Sequence, residues 1–347
     1  MILFRIISFF FCFTCSIYAS NKIFDHALLY LADYDFFEKP LKKHIPKDNV
    51  MAYGITSPLF SDYAEKLRFI KVPIGSIIVF DDERNFIYPN NTYLIKTFFY
   101  YDDIRNNSSK RRIIETRILK NTSNGWISLP YIWNEQQTDA KLNLAGARVP
   151  VSWTHYDKKK IELPYSVPNM NQCKNCHNLS NIQQPIGPKI RNLNHDFNYS
   201  NGMENQLKNW ISTGPLQKIS EFDNMPRTVD YNNEKSGTIN ERARAWLDIN
   251  CAHCHGHGRS AESSGLFIEY EEKNKTAIGI FKNPVAAGRG SGDRKYNIVP
   301  GHPEESILVY RINSVDPGIM MLELSRKLIH KEDLELIQKW IKAMESL

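Results

Sequence analysis

Runs of apolar residues and clusters of turn-forming residues alternate in the first half of the chain. Residues 77–80, 93–100, 113–119 and 126–133 are rich in β-branched and aromatic side chains, and segments containing Asn, Ser, Pro or Gly separate them. Several short strands with regular turns are typical of an antiparallel sandwich or barrel. The pattern therefore predicts an all-β, sandwich-like domain over residues 20–160.

A helical period replaces this alternation in the second half of the chain. Apolar residues recur at spacings of three and four in residues 205–212, 241–250 and 331–347, which predicts amphipathic helices. We expect two mainly α-helical units after the β domain, over residues 161–238 and 239–347. The first unit has no clear helix at its start, so we expect it to be a reduced version of the second.

Residues 1–19 have the pattern of a secretory signal peptide. Arg5 provides a positive charge, residues 6–14 form an apolar stretch, and Ala19 is a small residue at a suitable cleavage position. We expect a mature chain that begins near Ser20 and lies in the periplasm or outside the cell. An uncleaved anchor is the alternative, although the stretch is short for one. No other apolar run reaches the about 20 residues of a membrane-spanning helix, so we expect no stable membrane span in the mature chain.

The composition excludes few classes of function. A length of 347 residues favours two or three domains. The net charge of +6 comes from 44 basic and 38 acidic residues scattered along the chain, so nucleic-acid binding is not expected. Of the six cysteines, Cys12 and Cys15 lie in the signal segment, which leaves four in the mature protein.

All four of these cysteines belong to two copies of the pattern C-x-x-C-H. The copies consist of Cys173, Cys176 and His177, and of Cys251, Cys254 and His255. This pattern is the attachment signature of c-type haem. Two thiols three positions apart can bond the two vinyl groups of one porphyrin, and the next histidine is then held near the iron as its proximal ligand. The sequence therefore predicts two covalently bound haems c.

Zinc binding and redox disulfides are the alternatives for these cysteines. Paired C-x-x-C zinc motifs are usually separated by about 15–20 residues, and the gap here is far longer. A thioredoxin-like motif needs a βαβ setting and does not explain the histidine that follows each pair. Both alternatives are therefore disfavoured.

The second motif lies in the order typical of class I cytochromes c: helix, motif, loops, methionine and terminal helix. Met320 and Met321 follow the turn signal at Asp316–Gly318 and precede the last helix. A methionine is a common distal ligand of haem iron in cytochromes c and raises the reduction potential. We favour Met321 as the distal ligand of the second haem, with Met320 as the alternate.

The distal ligand of the first haem is less clear from the sequence. Met225 precedes Pro226 at a distance from the motif that suits a ligand loop. His195, Met203 and Met170 are competitors, and an open iron site is a further alternative. Haem propionates are expected to pair with basic side chains, for which the glycine-rich loop at residues 288–292 offers Arg289 and, nearby, Arg294.

The chain resembles the poorly characterised bacterial diheme c-type cytochromes that carry an N-terminal β domain. The resemblance covers roughly residues 30 to 345. One departure is Leu322, where the family tends to have Pro, because loss of Pro leaves the ligand loop less fixed in φ. The matching segments are residues 53–64, Lys66, Arg68, and residues 96–98, 115–117, 131–134, 138–140, 171–177, 185–188, 250–255, 284–292, 300–304 and 316–321.

Motifs and resemblance together imply an exported electron-transfer protein that serves a redox partner of unknown identity. No catalytic residue is predicted. The alternative is a diheme redox enzyme, similar to a peroxidase or a thiol oxidoreductase, with one open haem site. A third hypothesis is that the β domain binds a polymer or a partner protein while the haems serve that partner.

Overall fold

The computed structural model describes residues 26–80, 86–323 and 326–346. The predicted signal peptide, residues 1–19, lies outside these residues. In the part of the chain that is described, no helix combines the length and the apolar character needed to cross a membrane.

Strands dominate the first half of the protein. In chain order they are β1 (Val50–Ala52), β2 (Glu65–Lys71), β3 (Val79–Phe80), β4 (Phe86–Ile87), β5 (Tyr93–Tyr101), β6 (Arg111–Thr122), β7 (Gly125–Trp133), β8 (Ala140–Leu142), β9 (Ala147–Thr154), β10 (Lys160–Val167), β11 (Asn178–Leu179), β12 (Ile182–Gln183), β13 (Asp196–Tyr199) and β14 (Gly202–Asn205). Six of them form one antiparallel sheet in the order β1-β2-β5-β6-β7-β8. The long central strands are those that the apolar runs predict.

The two faces of this sheet are covered differently. Because successive side chains of a strand point to opposite faces, β5 divides its apolar residues between two cores. Ile95 and Phe99 pack against the irregular segment 27–41. On the other face, Phe98 and Tyr100 pack against the hairpin β9–β10. Beside this hairpin the same face borders the C-terminal half of the chain.

Seven short α-helices belong to the described C-terminal half. They are α1 (Met170–Cys176), α2 (Ile190–Leu193), α3 (Gln206–Ser212), α4 (Ile239–Asn250), α5 (Lys275–Ile278), α6 (Ile307–Ile312) and α7 (Lys331–Lys342). Helix α4 begins with a capping box in which Thr238 and Glu241 satisfy each other's backbone N–H groups. It packs against α7, where Trp340 Nε1 donates to Asn240 Oδ1 at 2.9 Å.

The prediction of mainly α-helical haem domains is wrong. The described residues are 27% strand and 24% helix, and their main feature is the large antiparallel sheet. Of the helices described, only α4 and α7 reach 12 residues, because these two segments carry an apolar period long enough to bury one helical face. Between them the sequence is rich in Asn, Gly and Pro, which favour the turns, hairpins and 3₁₀ segments observed there. The sandwich expectation is also wrong in part, since no second sheet of comparable size covers the large one among the described residues.

The segment 53–63 ties the sheet to the C-terminal half. The Phe60 N–H donates to Asn250 Oδ1 at 2.9 Å, one residue before the second motif. The Asp62 carboxylate accepts the Leu328 N–H at 2.8 Å. This irregular segment therefore positions the sheet against the region that holds both motifs.

Candidate functional site

A cavity of about 600 Å³ lies between the sheet and the C-terminal half. Its volume is within the range of pockets that bind small molecules and cofactors. Both motifs contribute all of their cysteines and histidines to its wall: Cys173, Cys176, His177, Cys251, Cys254 and His255. Segments that are far apart in sequence therefore meet at one site.

Helix α1 presents the first motif. Asn169 and Gln172 form a capping box at its start, which stabilises a helix of only seven residues. Cys173 and Cys176 are three residues apart and so lie on one face of this helix. That face packs toward β7, where the Cys173 thiol hydrogen-bonds Ser128. Burial raises the pKa of the Cys173 thiol.

The second motif begins where α4 ends. The Cys251 N–H still donates to Leu247 O at 2.9 Å, as in a last helical turn. Cys251 and Ala252 then pack in the core between α4 and α7. Burial raises the pKa of the Cys251 thiol well above its usual range.

The two motifs contact each other directly. Cys176 and Cys254 line the same cavity, and their side chains are close enough for the interaction to raise the pKa of the Cys176 thiol and lower that of the Cys254 thiol. Backbone contacts hold this arrangement, because the Ser180 N–H donates to Gly258 O at 2.7 Å. The sulfur atoms of two different attachment motifs are therefore neighbours in one cavity.

Both motif histidines have their ring orientation fixed. His177 Nδ1 lies 2.8 Å from Gln184 O, and since a carbonyl only accepts, Nδ1 carries the proton. His255 Nδ1 lies 3.2 Å from Ser264 Oγ, which donates its own proton to Ala261 O. In each case the lone pair is left on Nε2, the usual arrangement of a histidine that binds a metal. Burial lowers the pKa of His177 to about 4 and also lowers that of His255, so both rings are neutral at pH 7.

The motif residues are not grouped as three or more metal ligands in the part of the chain that the structure describes. Among the described residues, the only group of three or more His, Cys, Asp or Glu side chains with ligand atoms within 4.8 Å of one another is His302, Glu304 and Glu305 at the surface. All four motif cysteines are free of disulfide bonds. The free thiols and the histidines hydrogen-bonded through Nδ1 are the groups that haem attachment would require.

Positive charge predominates on the cavity wall. Among the described lining residues, five carry a positive charge and one, Glu323, is a carboxylate. Buried side-chain nitrogens of two of these cations, Nη2 of Arg68 and Nε of Arg326, have no hydrogen-bond partner. One of these cations, Arg117, is already paired with the buried Glu115 carboxylate, and haem propionates would bring carboxylates to the others. The cationic lining residues are Arg68, Lys96, Arg117, Arg311 and Arg326.

The candidate distal ligands are distributed unevenly around the cavity. Met321 lies on its wall, whereas Met320 is buried, at 5% exposure, outside the lining. Met225 packs beside the core that contains Trp210 and is not a lining residue. Of the described lining residues, only Met321 is a methionine. The structure thus brings Met321 together with the motifs and leaves Met225 apart from them.

The other candidates for the first haem also lie away from the cavity wall. Met203 is 67% exposed on a hairpin strand, and His195 Nδ1 binds Asp196 O at 2.9 Å. Met170 is the first residue of α1 and does not line the cavity. His253, to which the sequence assigns no role, is a lining residue.

The predicted propionate partners are engaged elsewhere. Arg289 Nη2 donates to Asp316 Oδ1 at 2.7 Å, and Arg294 Nε donates to Glu304 O at 2.8 Å. Neither arginine lines the cavity.

Arg68, Lys96 and Arg117 are among the positions that match the family, but the sequence alone assigns them no role at the site. Arg68, Lys96 and Arg117 sit on β2, β5 and β6 at positions where the period-2 pattern calls for buried side chains. A charged residue at an inward position of a central strand is the signal that could have identified them.

Comparison with models of known protein families, with curated proteins and with solved structures gives no match to this chain.

Proposed function

We propose that this protein is an exported diheme c-type cytochrome that transfers electrons. Cys173 and Cys176 would hold one haem and Cys251 and Cys254 the other, with His177 and His255 as proximal iron ligands. The proposal rests on the two C-x-x-C-H motifs, on the fixed tautomers of their histidines, and on the cationic wall of the cavity.

One observation carries the electron-transfer function: Cys176 and Cys254, from different motifs, are neighbours on the wall of a single cavity. Cofactors bonded to these two sulfur atoms are held side by side, and short separation is what direct electron transfer between them requires. Residues that pack around the motifs, including Ile249 and Ile268, keep the surroundings apolar.

Haem c supplies a one-electron iron couple whose potential depends on axial ligation, burial and hydrogen bonding. The chain's own residues set each of these conditions. The Gln184 carbonyl and the Ser264 hydroxyl orient the two histidines, and Met321 offers a thioether on the wall. A soluble or membrane-bound redox protein would be the partner, with the signal-like residues 1–19 directing the chain to the periplasm or beyond.

A second candidate is supported by the position of Met225. Because Met225 lies outside the cavity wall, the first haem would lack this predicted ligand and would keep an open iron site. Such a site is what a diheme redox enzyme needs.

Ligand binding by the reduced holoprotein separates the two candidates. An electron carrier with both iron sites closed should show no change in its optical spectrum under carbon monoxide. A spectral shift of one haem, with the other unchanged, would favour the enzyme. A shift of both haems would contradict closed ligation at either site and with it the carrier proposal.

A further inference from the structure

Three cations form a row across the large sheet. Arg68 on β2 is paired in register with Lys96 on β5, and Lys96 is paired with Arg117 on β6. Directly opposed residues of neighbouring strands point to the same face, and all three line the cavity. Like charges opposite each other destabilise a sheet, so this row needs a compensating negative charge.

Among the described residues, an ion pair compensates the positive charge at only one end of the row, at Arg117. Arg117 makes a bidentate ion pair with Glu115, at 2.5 and 2.9 Å. Although burial opposes it, this carboxylate raises the pKa of Arg117. Arg117 therefore has its counter-charge within the chain.

Arg68 and Lys96 have no such partner among the described residues. Nη2 of Arg68 is buried without a hydrogen bond. Lys96 makes no ion pair among the described residues, and its ammonium lies 4.9 Å from the centroid of the Phe98 ring. Burial, followed by the charge of Arg68, lowers the pKa of Lys96 well below its usual range, although Glu115 acts in the opposite direction. Two basic side chains held together on a cavity wall without an ion-pair partner indicate a place for an anionic ligand.

Their position relative to the first motif identifies the anion. Strands lie about 4.8 Å apart, so Arg68 is roughly 10 Å across the sheet from Arg117, with Lys96 between them. Cys173 is at the other side, hydrogen-bonded to Ser128 on β7. In haem c the two propionates are at the porphyrin edge opposite the thioether bonds. A porphyrin bonded to Cys173, beside β7, would direct its carboxylates toward β5 and β2 if it extended over this face.

We propose that Arg68 and Lys96 bind the propionate carboxylates of the haem attached to Cys173 and Cys176. The inference rests on the proposed function and deepens it, because it makes the β-sheet part of the first haem site. It also explains why Arg117, which already has a carboxylate, is the member of the row closest to the cysteines.

Infrared spectroscopy of labelled holoprotein tests this assignment. Growth on 1-¹³C 5-aminolevulinate labels the propionate carboxyls, whose bands can then be followed in redox-induced difference spectra. In Arg68→Met and Lys96→Met, labelled bands of one haem should shift, and the potential of that haem should fall because a cation that favours the reduced state is lost. Arg68→Lys and Lys96→Arg should restore both readouts. Lys71→Met is the matched control, since Lys71 is on β2 but points to the opposite face of the sheet.

Failure of this assignment can be distinguished from failure of the proposed function. The number of haems per chain in the unmodified protein tests attachment, independently of any variant. With two haems present, unchanged carboxylate bands in both methionine variants would overturn the assignment to Arg68 and Lys96. If a methionine variant does not fold, Arg68→Gln and Lys96→Gln provide the same test, with the charge removed and hydrogen-bonding capacity kept.

Discussion

Cys176 and Cys254 are neighbours on one cavity wall although they belong to different attachment motifs. Their contact is the point at which the two halves of the site meet, since Cys176 is on α1 and Cys254 follows α4. Every other feature of the site, including the sheet wall and Met321, surrounds this pair.

The contact predicts a specific cross-link in protein that carries no haem. Chain produced without a haem-attachment system and oxidised with diamide should form a Cys176–Cys254 disulfide, because these thiols are neighbours. Peptide mapping under non-reducing conditions identifies the bond, and Cys254→Ser should abolish it. Disulfides within each motif, between Cys173 and Cys176 and between Cys251 and Cys254, would instead show that the motifs lie apart.

The two adjacent methionines are expected to differ in role. Met321→Ala should lower the potential of the second haem and open it to carbon monoxide, because a thioether ligand stabilises ferrous iron. Met320→Ala should leave that potential unchanged and lower the free energy of unfolding by roughly 2–4 kcal/mol, the usual cost of truncating a buried methionine. Potentiometric titration and denaturant unfolding measure the two effects. The reverse pattern would assign the ligand to Met320.

A buried ion pair holds the segment between the motifs against α4. Arg191 Nη2 lies 2.7 Å from Asp248 Oδ2, and the Asp248 carboxylate is 4% exposed. Although burial raises the pKa of Asp248, Lys189 and Arg191 lower it to about 2. Asp248→Asn should reduce the free energy of unfolding by about 3 kcal/mol, because it leaves buried cations undercompensated. Arg191 keeps Glu271 as a second partner. The loss should therefore lie at the lower end of the range expected when one partner of a buried ion pair is removed.

Urea unfolding measures this loss at neutral pH. The control is Asp157→Asn, which removes a surface partner of Lys159 and should change the unfolding free energy little. Equal losses in both variants would contradict the structural role of Asp248.

His44 should make stability depend on pH. It is 4% exposed beneath the sheet, with Nε2 3.0 Å from Thr97 Oγ1, and burial lowers its pKa to about 4 from 6.5. Between these values the unfolded chain binds a proton that the folded chain does not, so stability falls as the pH is lowered from about 6.5 to about 4. A shift of this size corresponds to roughly 3 kcal/mol.

The free energy of unfolding, measured at pH 7 and at pH 4.5, gives the dependence of stability on pH. His44→Gln keeps a hydrogen-bonding side chain for Thr97 but cannot titrate, so its stability should change less over this interval. Identical slopes in the two proteins would show that His44 does not control this dependence.

Local patterns in the sequence predicted the elements better than their assembly. The prediction of a helix over residues 241–250 agrees with α4, Ile239–Asn250, because its apolar period and the capping pair Thr238 and Glu241 are local signals. Strands β5 and β7 agree equally well. Helix α1 was missed because polar residues fill its exposed positions and the motif cysteines themselves form its inner face.

The shape of the site could not be predicted from local patterns. Contacts such as Phe60 with Asn250 and Asp62 with Leu328 join residues far apart in the chain, and no periodicity encodes them. For the same reason the sequence did not indicate that β2, β5 and β6 supply the cationic wall of the motif cavity. The chemistry of each motif is local and could be predicted, whereas their shared cavity depends on tertiary packing.

The intact mass of the protein tests the central claim most directly. The full chain should be produced in a host that exports it and attaches c-type haem, and its mass measured under denaturing conditions, where only covalent cofactors remain. We predict the mass of the polypeptide, less any cleaved leader, plus two haems. Cys173→Ser combined with Cys176→Ser should reduce the gain to one haem. A mass that shows no bound haem, with four free thiols or with zinc in the native protein, would contradict the account.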